Sequence, residues 1–190
     1  LIENLDMERL TSVFDEMEYD DLADLLGQMG IDQRTKVLDA MDDEDAETMR
    51  QLLSYPIGTA GSLMTPDIIV LGPDATVAEA LAHIRDPERL VSIAAQVFVA
   101  HAPHYPPTGT YLGVVHFQRL LRERPSLLLK QCLDNEPTID PMLTDRDVAK
   151  RLASYNMLAV GVCDSNGRLL GAVTVDDVLD NALPADWRRK

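Results

Sequence analysis

The chain is poor in cysteine, in basic residues and in long apolar runs, and each shortage removes a class of function. Cys132 and Cys163 are the only cysteines among 190 residues, and neither stands in a CxxC or CxxH pair. A disulfide scaffold and a structural zinc site are therefore not expected, and a reducing, cytoplasmic compartment fits. Sequence leaves open whether the fold pairs the two thiols. The best apolar stretch, residues 90–102, is interrupted by Ser92, Gln96 and His101. It falls short of the roughly 20 apolar residues that span a bilayer. The first nine residues are acidic on balance, unlike a secretory leader. Direct membrane insertion by this segment is not expected.

Lys and Arg number 17 against 32 Asp and Glu, a formal charge of −15. Nucleic-acid grooves need Lys and Arg to neutralise phosphates, so nucleic acid is not an expected partner. Anionic lipid is disfavoured for the same reason, which leaves cations, basic partners or solubility for the charge to serve. The excess is lopsided: residues 1–54 hold 16 acids and 4 bases, whereas residues 55–190 hold 16 and 13. A 46% hydrophobic content supplies a core. The chain opens at Leu1, already inside an amphipathic pattern, and reads as a piece of a longer protein.

The acidic first quarter divides into units of 12 residues, 6–17, 18–29, 30–41 and 42–53, with Met17, Met29, Met41 and Leu53 at one phase. Leu10, Val13, Phe14 and Met17, then Leu22, Leu25, Leu26 and Met29, recur at helical spacing. Acids crowd the unit starts, as at Asp20-Asp21 and Asp42–Asp45, where they suit helix caps and dipoles. Short helices stacked into a small superhelical domain are predicted, with the methionines filling its core. Arg34 interrupts the apolar series. Residues 55–61, with one proline and two glycines, predict a linker.

Residues 62–183 read as two halves, 62–125 and 126–183, followed by a tail, 184–190. In the second half, 138–140 is extended, Thr144 caps a helix with Val148, Leu152 and Tyr155 on its apolar face, and 158–163 is a buried strand. Asp164-Ser165-Asn166-Gly167 is a hairpin turn, 169–175 the returning strand, and a final helix opens at Val175. The first half repeats this β–α–β–β–α order with strands at 68–71, 97–100 and 111–115 and helices after Thr76 and over 117–124. There the tight turn is replaced by a loop, 103–110, containing three prolines. The fold class is α+β.

Two such halves in tandem resemble a CBS-domain pair, or Bateman module. With the acidic helices ahead of it, the chain resembles the cytosolic region of MgtE-type magnesium transporters and channels. The match is carried by Asp20-Asp21-Leu22-Ala23-Asp24, by Tyr55-Pro56, Ala60-Gly61 and Leu63-Met64-Thr65-Pro66, and by Gly171–Asp180. It implies an MgtE N-type domain over 1–54, truncated at its start, then the CBS pair. It also implies a homodimer through the CBS domains, and a pore domain of the same parent chain unless the parent is a soluble relative.

The resemblance further implies shared Mg²⁺ between carboxylates of the N domain and of the second CBS domain. The candidate ligands are Asp20, Asp21 and Asp24 on one helix and Asp176, Asp177 and Asp180 on another. Asp20 and Asp24 share a helix face at i, i+4, and oxygen-only carboxylates suit hard Mg²⁺; the competing reading is a solvated, capping face. Two departures stand out. Asn156 sits where family members can carry an aspartate, and Ile57-Gly58-Thr59 replaces acidic family residues. CBS modules can also hold adenosine ligands through a G-h-x-[ST]-x-x-D motif. Gly171 to Asp177 fits it, with Thr174 and Asp177 as candidate contacts to ATP or another adenine nucleotide, although Thr174 equally suits a helix cap. In the first half, His116 and Arg119 replace the Thr and Asp. His101 and His104 lack a zinc-spaced partner, and no nucleophile elbow, P-loop or zincin motif occurs. A non-enzymatic Mg²⁺ sensor is the expectation; a nucleotide module or an interaction scaffold is the alternative.

Overall fold

The computed structural model of the chain describes residues 17–86, 91 and 93–183. It opens with three short helices: α1 (Tyr19–Gln28), α2 (Ile31–Leu38) and α3 (Asp43–Leu53). One helix falls in each of the units 18–29, 30–41 and 42–53; the unit 6–17 lies outside the described residues except for Met17. Met17, Met29, Met41 and Leu53 pack half-buried against a core containing Leu22, Leu26, Val37, Met49 and Leu52, as core-filling side chains do. Asp42 caps α3 by accepting from the Asp45 amide at 3.0 Å. Glu18, at the same place before α1, makes no side-chain cap. Arg34 has a structural reason to interrupt the apolar phase. Its guanidinium donates to the carbonyls of Leu26 (2.9 Å), Gly27 (3.1 Å) and Met29 (3.3 Å), at the end of α1 where carbonyls run short of helical amides.

The expected linker is in fact docked structure. Thr59 caps a single-turn helix, α4 (Ala60–Leu63). The Ala60 and Gly61 amides donate to Leu143 and Pro141 carbonyls at 2.7 and 2.8 Å, and the Asp145 amide donates to the Gly58 carbonyl at 3.0 Å. Thr65 then pairs with Ala172 through two backbone bonds, 2.9 and 3.0 Å. Thr59, Ala60, Gly61, Leu63, Met64 and Thr65 are all buried. Glycine and proline signalled a break in helix here, but not where the backbone groups would be satisfied.

The first half contains β1 (Val70–Leu71), α5 (Val77–Ile84), β2 (Gln96–Ala100), β3 (Tyr111–His116) and α6 (Phe117–Leu120). β1 runs parallel to β2, and β2 antiparallel to β3. Thr76 and Glu79 form a capping box on α5. The helix expected over 117–124 stops after one turn, because the following chain is drawn elsewhere. Carbonyls of Leu127 and Pro125 accept from the Val77 and Ala78 amides, both at 2.9 Å, donors at the open start of α5.

The second half contains α7 (Asp145–Tyr155), β4 (Ala159–Cys163), β5 (Leu169–Thr174) and α8 (Val175–Ala182). Ile139 bridges Val162 in parallel, the counterpart of β1 on β2. The hairpin closes at Gly167, φ +73°, with Asp164 Oδ1 accepting from the Asn166 and Arg168 amides at 2.9 Å. Tyr155 departs from the expected apolar face: it is 64% exposed, its ring stacked under the Arg151 guanidinium 5.5 Å away. Asn156 ends α7 in the left-handed region, φ +51°, which Asn tolerates better than most residues. Cys132 and Cys163 are buried and unpaired with each other.

The halves interlock. The segment entering the first half pairs at Thr65 with Ala172 of the second, and the segment entering the second pairs at Asp134 with Val114 of the first. Glycines admit both crossings: a Cβ on Gly171 would lie 2.5 Å from the Thr65 carbonyl oxygen, and one on Gly113 2.9 Å from that of Asp134. Apolar packing is partitioned unequally. One cluster holds β2, β3 and much of the first half, whereas the other joins Leu22, Leu26, Met49 and Leu52 of the helical domain to Met64, Leu152, Val160, Leu170 and Val173. The helical domain is thus built on the second half through α4. Gly171→Ala should break the Thr65 crossing and destabilise the fold by about 1–3 kcal/mol, as overpacked sites do. A lowered thermal midpoint by circular dichroism is the readout.

Candidate metal centre

The first turn of α8 is locally determined. Thr174 Oγ1 receives the Asp177 amide at 3.4 Å, while the Thr174 amide and hydroxyl both donate to Asp177 Oδ2 at 2.8 Å. This is a capping box with Asp at the third helical position. α1 packs on α3 and α4, and α4 is fixed to the second half as described. That docking carries the start of α1 to the start of α8. Ligand oxygens of Glu18, Asp20 and Asp177 lie within 4.8 Å of one another.

Burial is the main cause of the electrostatic tension there. It pushes the Asp20 carboxyl up to about 7, with the Asp177 charge adding to the effect. Asp20 Oδ1 is buried without a hydrogen-bond partner, an arrangement that costs free energy in a protein interior. Burial also raises Asp177, against the lowering effect of its bonds from Thr174. Asp24 is raised by burial and then by Asp21. Two carboxylates about 4 Å apart repel by about 4 kcal/mol at a surface-like effective dielectric of about 20.

Of the six candidate aspartates, the structure brings Asp20 and Asp177 into one group. Asp21 is exposed beside them, and its charge bears on both Asp24 and Asp177. Asp24 lines a separate groove with Gly27, Arg34, Tyr55 and Ser62. Asp176 is exposed in the first turn of α8, and Asp180 is half-buried near its end. Glu18 joins the group although helical spacing does not point to it. It is the extended residue before α1, so its side chain reaches the site from outside the helix. The run Glu18-Tyr19-Asp20-Asp21 was the available signal. An all-carboxylate donor set with a buried, unpartnered oxygen fits a hard divalent cation.

The strand-to-helix turns of the two halves differ. Thr174 is the N-cap of α8, and Asp177 is shared between that cap and the carboxylate group. In the first half His116 Nε2 lies 2.7 Å from Glu136 Oε1, and Arg119 Nη1 2.5 Å from Asp134 Oδ1. Both basic side chains are therefore tied to the segment entering the second half. His101 and His104 are exposed in the proline-rich loop.

The raised Asp20 pKa has a defined pH consequence. Between its unfolded value near 4 and about 7 the folded chain holds a proton that the unfolded chain releases. Stability without divalent cations is therefore highest below that window and falls as pH rises through 7. Asp20→Asn should flatten this dependence; urea midpoints from pH 4.5 to 8 in chelator provide the measurement.

Sequence comparison places the MgtE intracellular N domain at residues 1–58 and CBS domains at 60–126 and 130–183. The magnesium transporter MgtE of Thermus thermophilus is 31% identical over 169 residues, 85% of this chain and 36% of that protein. MgtE of Bacillus subtilis is 24% identical over 173 residues, 90% of this chain and 37% of that protein. The chain thus spans about a third of the length of these curated relatives. Among solved structures, the soluble part of a magnesium transporter superposes with TM-score 0.77 at 28% identity, covering 87% of this chain and 63% of that one. The cytosolic domain of the Mg²⁺ channel MgtE in complex with ATP gives 0.78 at 25% identity, covering 94% and 76%. With an MgtE intracellular N domain joined to a tandem CBS pair, the chain belongs to the MgtE family and corresponds to the cytosolic part of its members.

Proposed function

We propose that this chain is a cytosolic, non-catalytic Mg²⁺ sensor that regulates a pore domain of the same parent protein. The observation that carries the reading is the meeting of Glu18 and Asp20 with Asp177 across two domains, with Asp20 Oδ1 buried and lacking a partner. A divalent cation between these carboxylates replaces repulsion by attraction, so the docked arrangement binds it more tightly than an undocked one. By linkage, the cation then favours the docked arrangement, and occupancy at millimolar Mg²⁺ shifts the population toward a compact, pore-closed state. Asp21, Asp24, Asp176 and Asp180 supply surrounding negative charge that draws cations in. The apolar core shared by the helical domain and the second half opposes complete release. Loss of the ion is therefore read as a pivot of the helical domain rather than its departure. Self-association through the exposed apolar side chains of Tyr155 on α7, Leu179 on α8 and Leu183 just after it completes the reading as a homodimer.

Limited proteolysis and small-angle scattering with chelator or with about 10 mM Mg²⁺, an excess over a weak site, test this directly. Mg²⁺ should protect the segment before α4 and compact the envelope. The combined replacement of Asp20, Asp24, Asp177 and Asp180 by Asn should give the compact pattern without Mg²⁺ and abolish the response. An envelope and cleavage pattern indifferent to Mg²⁺ would overturn the reading.

An adenine nucleotide is the second reading, favoured by the intact motif from Gly171 to Asp177 and by the ATP carried by the MgtE relative described above. Calorimetry with ATP and AMP should then show binding that Asp177→Ala abolishes. Undiminished binding by that variant would remove Asp177 from any ribose contact.

A further inference from the structure

We propose that Gly61 and Tyr55 form a steric stop that sets how closely the helical domain approaches the second half, and hence the spacing of the carboxylates. They are positioning residues, remote from the cation itself, and the proposal rests on the Mg²⁺-sensor reading for its consequence. A Cβ built on Gly61 would lie 2.4, 2.5 and 2.8 Å from Cγ, Cδ1 and Cδ2 of Tyr55. The Tyr55 ring therefore lies directly on the Gly61 backbone. Gly61 needs no glycine for its own conformation: its φ is ordinary, unlike Gly58 at +82°, and alanine is the better helix former. The missing side chain is explained by the ring alone.

Each partner is fixed to a different body. Gly61 is held to the second half by its amide bond to the Pro141 carbonyl, 2.8 Å, and by its neighbour's bond to Leu143, 2.7 Å. Tyr55 is held to the helical domain, its amide donating to the Leu52 carbonyl at the end of α3, 3.1 Å. From α3 the position is transmitted to α1 by their packing and by the Tyr19 hydroxyl, which donates to Asp45 Oδ1 at 2.5 Å. Tyr19 precedes Asp20. A methyl on Gly61 meets the root of the Tyr55 ring, which cannot swing aside as the tip of a long side chain can. Restoring ordinary carbon contact, near 3.5–4.0 Å, takes a displacement of roughly 1 Å. That displacement lifts α3, and with it the start of α1, away from Asp177.

The test uses the 190-residue chain and two readouts. The first needs no metal: Asp20→Cys with Asp177→Cys, followed by the rate of disulfide formation between them, in otherwise unsubstituted, Gly61→Ala, and Gly61→Ala/Tyr55→Ala backgrounds. The second is the Mg²⁺ concentration giving half-protection from proteolysis in the same three backgrounds without the cysteines. Gly61→Ala should slow cross-linking and raise the Mg²⁺ midpoint by about fivefold or more, the low end of couplings between linked sites. Adding Tyr55→Ala, which removes Cγ and everything beyond it, should bring both back toward the unsubstituted values. Thermal melts confirm that each variant is folded, and rescue by the second substitution cannot arise from general destabilisation. Unchanged cross-linking in Gly61→Ala, or no rescue by Tyr55→Ala, overturns the proposal. Cross-linking that responds as expected while Mg²⁺ protects no background leaves the stop standing and removes the metal reading instead.

Discussion

Carboxylates from two domains stay within a few ångströms of each other only when a larger interaction holds their backbones there. In this chain that interaction is the apolar core running from Leu22, Leu26 and Leu52 through Met64 to Leu170 and Val173. Fully burying one leucine contributes about 1.5–3 kcal/mol, so a few such side chains outweigh one carboxylate pair repelling by about 4 kcal/mol. Docking therefore persists without a cation, but with the opposing charges under strain. Burial at that interface, with the Asp177 charge adding to it, explains why Asp20 retains a proton up to about pH 7: the core imposes the position, and the neutral form is the one it favours.

The margin between those two effects gives the arrangement its capacity to respond. Were repulsion far larger, the domains would be permanently apart; were the core far larger, an ion would change nothing. A stabilisation of about 1.4 kcal/mol changes a population ratio tenfold, and an ion supplies that amount at about ten times its dissociation constant. In the proposed mechanism the docked strap of residues 59–65 makes the response directional. It is bonded to the second half and not merely tethered to it, so the proposed pivot falls to the joint at residues 54–58, where Pro56 and Ile57 are exposed and Gly58 has a positive φ.

Much of this organisation was legible in the sequence, and the unread parts share a physical origin. Helices in the 12-residue frame, the β–α–β–β–α order and the caps at Thr76, Thr144 and Thr174 depend on local periodicity and side-chain-to-backbone bonding, which sequence displays. The burial of residues 59–65 depends on partners at 141–145 and 172, and the early end of α6 on amides at 77 and 78. Neither is written nearby. Tyr155 fits an apolar helical spacing yet lies outside, since its neighbour Arg151 provides a surface for its ring. Helical spacing pointed to Asp20, which the structure groups with Asp177, and overlooked Glu18, because the third carboxylate arrives from an extended residue to which i, i+4 arithmetic does not apply. Separation of Asp20 from Asp24 is a tertiary matter as well: one faces α8 and the other a groove beside Tyr55.

The internal symmetry of the CBS pair shows where sensing can reside. Equivalent turns end β3 and β5, but their side chains are committed differently. His116 and Arg119 pair with Glu136 and Asp134, so the first turn is partnered within the CBS pair by the segment entering the second half. Thr174 and Asp177 satisfy the start of α8 and leave the Asp177 charge facing Glu18, Asp20 and Asp21 of the helical domain. A turn already partnered has little to gain from a cation, whereas one confronted by like charge has much, which is where the proposed sensor draws its response. The acidity concentrated in the first quarter of the chain is therefore specific in placement: Glu18 and Asp20 set it against the second turn, rather than the first, which is why the proposed cation site falls there.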